Sequence, residues 1–358
     1  MHLNYRKFDR IPTSQNNTLK GYNAADELLL QQIGAEEGSF GVFNDQFGCL
    51  TAHLAHQDVF VRCDLKSQAI AIEQNYRKIH GTENLVSPTF LLEEQSCFAK
   101  TALLKIPKSI ALFERYLFDI HEHLANDGVV YAGFMTKYFT KNLINSCEKY
   151  FHEVEQSRAY KKARLIIMRG KKTDVPAPTL NQVSLDDMVL HQHGGIFATQ
   201  KIDKATRYLL SHLKALTPQN TDAVLDLACG NGIIGIYANK NTDISQLHFL
   251  DDSELAIKSA QKNAPNTAHF HHHYHLHGFE ENQFDWIMTN PPFHFEHTID
   301  TSIAKALFIQ AHHCLKPGGF LTIVSNANLG YEHLLNEQFK EVDTSKSSGA
   351  FNIFHCRK

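Results

Sequence analysis

VLDLACGNGIIG, residues 224–235, is an apolar run that carries an acid near its end and then opens into glycines. Its tail, Gly230-Asn231-Gly232-Ile233-Ile234-Gly235, is literally G-x-G-x-x-G. Such spacing at a strand-to-helix turn lets backbone N–H groups approach a nucleotide-bearing ligand at a helix N-terminus. The expected setting is an open α/β sheet.

Outward from this stretch the chain alternates. Strand-like VLDLA, QLHFLDD, FDWIMTN and GFLTIVSN are separated by helix-like GIIGIYANKN, ELAIKSAQKNA and SIAKALFIQAHHCL. Strands alternating with helices imply a parallel, doubly wound sheet. The first half repeats the order in blurred form. GVFNDQFGCLTAHLA resembles VLDLACGNGIIGIYA, with Asn44 opposite Asp226 and Gly48 opposite Gly230, an offset of 182 residues in each case. VFVRCDLKSQAIAIEQN matches LHFLDDSELAIKSAQKN, Pro107 answers Pro291, and KKARLIIM echoes GAFNIFHC. Four segments in conserved order imply two tandem Rossmann-like domains. The stretch KKTDVPAPTLNQVSLDDM reads as a linker, giving domains 1–174 and 175–358. In the first copy the loop has become Asn44-Asp45-Gln46-Phe47-Gly48, with one glycine left, so that copy is degenerate.

The chain has 358 residues, 43% hydrophobic and 20% charged, with a formal net charge of -3, which fits globular protein and gives no overall field for a polyanion. A nucleic-acid partner would need a local patch. Residues 158–172 supply Arg158, Lys161, Lys162, Arg164, Arg169, Lys171 and Lys172, readable equally as a solvated face. No apolar run is long enough to span a membrane and no signal-peptide core opens the sequence. The seven cysteines form no C-x-x-C pair, so a cytoplasmic protein with reduced thiols and no metal is expected.

A glycine loop alone leaves a nicotinamide cofactor open. Asp226, four residues before Gly230, argues against a pyrophosphate and suits a cationic ligand end. S-adenosylmethionine has such an end, and Asp251 stands 21 residues after Gly230, where an acid for a ribose is expected. Ala228, Gly230, Asn231 and Gly232 would complete the cofactor loop, Ala228 being tolerable if its φ stays negative.

The strand FDWIMT then runs into Asn290-Pro291-Pro292-Phe293. An exocyclic amine on a planar ring attacks poorly while its lone pair is delocalised. Two carbonyl acceptors, the Asn290 side chain and the Pro291 backbone, can each take one N–H and turn the lone pair toward a methyl donor. The prolines fix φ and remove competing donors, and Phe293 offers a stacking face. An ordinary strand-ending turn is the bland alternative.

"DLACGNG", "FLDDS", "NPPFH" and "HHCLKPGGFLTIVSNANLGY", behind a degenerate first half, resemble the bacterial ribosomal RNA guanine-N2 methyltransferases over nearly the whole chain. "NAADELLLQQ", "LLKIPKSIALFE" and "KKARLI" look like the type acting on large-subunit RNA, the small-subunit type being the nearest alternative. The resemblance implies a ribosomal RNA substrate, a flipped guanine and S-adenosylmethionine as cofactor, and the degenerate first domain, 1–174, is expected to hold the RNA by shape and phosphate contacts. It implies that "GGIFATQKID" closes over the cofactor and brings Phe197, Lys201 and Asp203 to the site, and that the adenine contact falls at His273, Tyr274 or His275. Methylation of DNA adenine or protein glutamine, or a non-catalytic RNA-binding role, are the rival readings. The crowd of histidines from His269 to His277 is expected to be a set of surface imidazoles that gain charge below neutral pH.

Overall fold

The computed structural model describes residues 8–13, 20–82, 85–219, 221–292, 294–295, 298–299 and 302–358. The chain divides between Thr179 and Leu180 into two compact units.

The first unit contains α1 (Ala24–Ile33), β1 (Ser39–Phe43), α2 (Cys49–His53), β2 (Asp58–Cys63), α3 (Lys66–His80) and β3 (Thr89–Phe90). It continues with β4 (Ala99–Lys105), α4 (Ile110–His123), β5 (Leu124–Met135), α5 (Lys141–Cys147), β6 (Phe151–Gln156) and β7 (Ala163–Lys171). Its sheet has the order β3-β2-β1-β4-β5-β7-β6. β1 through β5 are parallel, and β7 runs antiparallel to both of its neighbours.

The second unit opens with a hairpin, β8 (Asn181–Leu185) and β9 (Met188–Gln192), and then α6 (Lys204–Leu216). There follow β10 (Ala223–Leu227), α7 (Ile233–Asn241), β11 (Gln246–Asp251), α8 (Glu254–Asn263), β12 (His269–His272) and β13 (Phe284–Thr289). A two-residue pair, β14 (His294–Phe295) and β15 (Thr298–Ile299), precedes α9 (Ser302–Cys314), β16 (Leu315–Asn326), α10 (Glu332–Gln338), β17 (Glu341–Asp343) and β18 (Phe351–Arg357). The sheet order β12-β11-β10-β13-β16-β18-β17 repeats that of the first unit strand for strand. Both sheets are thus doubly wound with an antiparallel edge rather than parallel throughout.

The duplication is more regular than the sequence offsets implied. β1 and β10 are both five residues long, and in each unit the last residue, Phe43 or Leu227, pairs with strands on either side. Their offset is 184 residues, so Gly48 answers Gly232 and Asn44 answers Ala228, two positions away from the sequence pairing. Backbone geometry agrees: Asn44 and Ala228 both have φ +57, while Gly48 and Gly232, at φ +77 and +82, each sit at the N-cap of the following helix.

The supposed linker also shrinks. Val183, Leu185 and Leu190 are buried, which folds NQVSL back on MVLHQ through a turn with Asp186 at φ +51. The period of two inside this polar segment is the sequence signal of the hairpin. Among the described residues no helix is long and apolar enough to cross a membrane.

Candidate active site

Register fixes where the candidate residues meet. Leu227, ending β10, lies opposite Leu250 of β11 and Thr289 of β13. One residue further along, Ala228, Asp251 and Asn290 therefore come side by side at the carboxyl edge of the sheet. The central strand β10 is flanked by neighbours entered in opposite directions, so a crevice opens there.

The glycines divide the work of the loop. Gly230 has φ +56, and nothing lies within 4 Å of where its Cβ would stand, which leaves open space for a ligand against the backbone. At Gly235, in contrast, a Cβ would lie 2.6 Å from Phe249 Cε1 and 3.0 Å from Asp226 Cβ, so α7 can pack on the sheet only without a side chain there. Ala228 departs from the expectation of negative φ: at +57 it is held in the left-handed region, where an L-residue other than Gly or Asn is strained. Ala228→Gly is expected to raise stability by about 0.5–1 kcal/mol, strain relief being partly offset by the entropy of an unfolded glycine. Urea melts check this, and a destabilised variant would remove the strain from the account.

Asp226 is fully buried. Its Oδ2 accepts from Gly235 N at 2.8 Å, and its Oδ1 has no hydrogen bond among the described residues. Burial above all, with Asp251 nearby, pushes its carboxyl well above the usual range. The expectation that it faces a cationic ligand end gives way to a different geometry: the side chain is turned inward and ties α7 to β10. Asp251 is half-buried and doubly held, Oδ2 accepting from Gly230 N and Oδ1 from Ser253 N, each at 2.9 Å. Burial raises its pKa, opposed by those N–H donors.

Asn290 donates through Nδ2 to Thr206 Oγ1 at 2.9 Å and to Asp203 Oδ2 at 3.3 Å. An ionised carboxylate only accepts, so the group facing Asp203 is the NH₂ and not the oxygen. Asp203 is itself the N-cap of α6, bonded by Ala205 N and Thr206 N. The Oδ1 of Asn290 takes no hydrogen bond from the described residues. Pro291 is buried and Pro292 exposed; Phe293 lies outside the described residues.

Gln192 was not singled out from sequence. Fully buried at the end of β9, it accepts from Asn231 Nδ2 at 2.6 Å and donates to the carbonyls of Ala198 (3.1 Å) and Thr199. Asn231 is thereby engaged with protein, its Oδ1 also accepting from Ile233 N at 3.2 Å. The same glutamine anchors the turn that carries Phe197, which is 60% exposed beside Ala198 at φ +57. An isolated Gln in a strand has no motif to announce it; only its three partners do.

The first unit lacks each of these groups. At the positions of Asp226, Gly230, Asp251 and Asn290 it has Val42, Gln46, Cys63 and Lys105, by the same registers. Lys105 Nζ reaches Asp26 Oδ2 at 2.6 Å, a largely buried ion pair where the second unit has Asn290 and Thr206.

Within the histidine run, His271 and His275 depart from the sequence reading, burial above all pulling both below the ordinary value, while His269 and His277 are exposed as expected. His248 and His271 stack at 5.3 Å with Nδ1 and Nε2 3.0 Å apart, and His273 and His275 lie 3.9 Å apart. Burial, then the neighbouring imidazoles, pull His248 and His275 down to about 4, and burial does the same to His355. They stay neutral at pH 6, so they add no positive charge there. A folded-state pKa below the ordinary 6.5 contributes stability that is present above pH 6.5 and lost as pH falls toward 4. The raised carboxyls of Asp226 and Asp45 act in the opposite sense, so the site-specific readout is NMR. Ring ¹³C shifts of these three histidines are expected to titrate at about 4, and midpoints near 6.5 would refute their burial as neutral rings. Among the described residues no three His, Cys, Asp or Glu are placed to hold a metal ion.

A protein named Ribosomal RNA large subunit methyltransferase G from Shewanella loihica is 32% identical over 98% of this chain and 92% of its own length. The protein of that name from Yersinia pseudotuberculosis is 31% identical with the same coverage. The chain belongs to the ribosomal RNA large subunit methyltransferase G family. This bears out the large-subunit type expected from the first half. Within that family's layout, residues 2–172 match the RLMG N-terminal domain and residues 187–355 the Methyltransferase small domain. A solved T. thermophilus 16S rRNA N2 methyltransferase, RsmC, in complex with AdoMet and guanosine, shares the fold of this member of the large subunit methyltransferase G family. It has a TM-score of 0.78 and 20% identity, and the match covers 94% of this chain and 93% of that one.

Proposed function

We propose that this chain transfers a methyl group from S-adenosylmethionine to the exocyclic N2 of a guanine in large-subunit ribosomal RNA, in the second unit. The observation that carries this is Asn290: its NH₂ is tied back to Thr206 and Asp203, which aims Oδ1 away from them as a fixed acceptor. The family's printed name supplies the RNA, and the solved relative's title pairs AdoMet with guanosine.

The residues fit the cofactor. Open space beside Gly230, its N–H pinned by Asp251, and the spare lone pairs of that carboxylate make a cradle for an adenosine. When bound, S-adenosylmethionine supplies an activated methyl on a sulfonium. Gly232 turns the chain into α7, and Ala228 and Asn231 hold the loop, Asn231 through Gln192. Asp226 acts one step behind, fixing α7 through Gly235 N. Asp251 would accept from ribose hydroxyls through its remaining lone pairs. Phe197, exposed on its Gln192-anchored turn, would cover the nucleoside.

Asn290 Oδ1 and the Pro291 carbonyl each accept one N–H of the guanine NH₂, draw its nitrogen toward tetrahedral geometry and point its lone pair at the methyl carbon. Asn290, an amide, orients that proton and does not remove it; as the N–C bond forms the methyl's bond to sulfur breaks, and the proton shed by the methylated nitrogen passes to water. The base must leave its helix to reach the sheet edge, and a stacking role for Phe293, which lies outside the described residues, rests on its place in Asn-Pro-Pro-Phe alone. Incubation with tritiated S-adenosylmethionine and ribosomal RNA lacking this methyl group tests the proposal. Label in N2-methylguanosine of the large-subunit RNA supports it; label only in small-subunit RNA, DNA or protein defeats it.

A further inference from the structure

We propose that Gln192 is a positioning residue that couples the two ligands of the second unit: its side-chain amide ties the cofactor loop to the turn carrying Phe197, so that S-adenosylmethionine in the loop sets the turn for the RNA base. The proposal deepens the function stated above and rests on it for the identity of both ligands.

A fully buried amide must satisfy both of its ends. Gln192 Oε1 accepts from Asn231 Nδ2 at 2.6 Å, while Nε2 donates to the carbonyl of Ala198 at 3.1 Å and to that of Thr199. Turning the amide over would set its NH₂ against a donor and its oxygen against two acceptors, so one orientation alone serves. Because the amide is planar, a shift at Asn231 reaches the two carbonyls as the rotation of one rigid group. Asn231 lies between Gly230, at φ +56 with open space above it, and Gly232 at φ +82. A ligand in that space therefore touches the peptide next to the residue that Gln192 holds.

The turn on the far side is poised to move. Gly195 has φ +106 and Ala198 φ +57, the latter unfavourable for a residue with a Cβ. Thr199 Oγ1 closes the turn on itself, donating to Ile196 O at 2.7 Å and accepting from Gly195 N at 3.4 Å. The carbonyls that Gln192 holds are those of the strained residue and its successor. Strain of this kind persists only where the surroundings impose it, so releasing the two bonds lets the turn relax. Phe197, 60% exposed, rides on the turn and follows it.

The duplicated fold supplies an internal control. In the second unit Asn263 Nδ2 donates to His191 O at 2.8 Å and to Asn231 O at 3.1 Å, and its Oδ1 accepts from His191 N at 2.8 Å. In the first unit Asn75 makes the same set of bonds, donating to Asp9 O at 2.8 Å and Phe47 O at 2.9 Å and accepting from Asp9 N at 2.8 Å. Asn231 and Phe47 each precede the matched glycine, Gly232 or Gly48, so the frame is common to both units. The residue after the clamped one differs. It is Gln192 bonded to Asn231 in the second unit, and Arg10, 4.9 Å from the Phe47 ring centroid, in the first. The asparagine clamp thus accompanies the fold, whereas the amide relay accompanies the cofactor loop. A bond that served the fold alone would be expected in both.

The test measures binding of the full chain to unmodified large-subunit ribosomal RNA transcribed in vitro, by filter retention, with and without saturating S-adenosylhomocysteine. For the wild type this product is expected to tighten RNA binding about tenfold, and by linkage the RNA tightens S-adenosylhomocysteine binding by the same factor. Gln192→Met keeps the length of the side chain and removes every bond of the relay. The ratio of RNA affinities should then fall to about one, with S-adenosylhomocysteine affinity in the absence of RNA nearly kept. Asn231→Ser breaks the relay from its other end and serves if the buried substitution fails to fold. The double variant should lose nothing further, as two ends of one link must. A purely structural role would lower the melting temperature and leave the ratio alone. A ratio still about tenfold in either variant therefore overturns the proposal, as does a wild-type ratio of about one. Incubation with tritiated S-adenosylmethionine reads the proposed function separately. If the wild type shows coupling but labels no large-subunit RNA, the relay stands and that function falls; label without coupling gives the reverse.

Discussion

Asn290→Ala is expected to lower kcat for methyl transfer about 10²–10³-fold, the scale seen when one pre-aimed hydrogen-bonding partner of a transition state is removed. S-adenosylmethionine affinity should be unchanged, because the loop that holds it is built from β10, α7 and Asp251 and owes nothing to this side chain. The orienting bonds allow a graded series. Thr206→Val removes the 2.9 Å acceptor and leaves only the longer bond to Asp203, so Asn290 can rotate; a loss of about tenfold in kcat follows from an acceptor that is present but unaimed. Asn290→Asp keeps an accepting oxygen yet sets a second carboxylate beside Asp203, and repulsion makes it as poor as alanine. Single-turnover kinetics with tritiated cofactor separate these outcomes. Equal rates for Asn290→Ala and wild type would detach this residue from the reaction.

Legibility in the sequence tracked whether a residue's role is local. The glycine loop, Asp251 and Asn290 could be found because turn geometry, ribose spacing and strand-end chemistry each write a short pattern, and the sheet register then brings the three together. Roles made by distant partners left no pattern. Gln192 joins Asn231 to the turn carrying Phe197, and Thr206 orients Asn290 across 84 residues of chain. Asp226 was visible as an acid but not as a buried one, since the direction of a strand side chain depends on which face α7 covers. The offset between copies is not legible in the letters, where Gly48 aligns with the first glycine of the motif; the helix N-cap, and hence the backbone, makes it the second.

Asp251→Ala is expected to weaken S-adenosylmethionine binding about 10²-fold, since hydrogen bonds to a charged group are worth about 1.5–3 kcal/mol each and two ligand hydroxyls lose their acceptor. Two effects add. The ribose contact goes, and Gly230 N, now paired at 2.9 Å, is left without its acceptor, so the one loop residue with open space above it loses its fixed position. Asp251→Asn separates them poorly, because its NH₂ must face either Gly230 N or Ser253 N, both donors. It should therefore recover less than its size suggests, remaining about tenfold weaker than wild type. Saturating cofactor should restore most of kcat in both variants, the reverse of the Asn290 series, because Asp251 holds the donor and touches no reacting atom. Calorimetric titration with S-adenosylhomocysteine reads the affinity directly, and a wild-type value in Asp251→Ala would place the ribose elsewhere on the sheet edge.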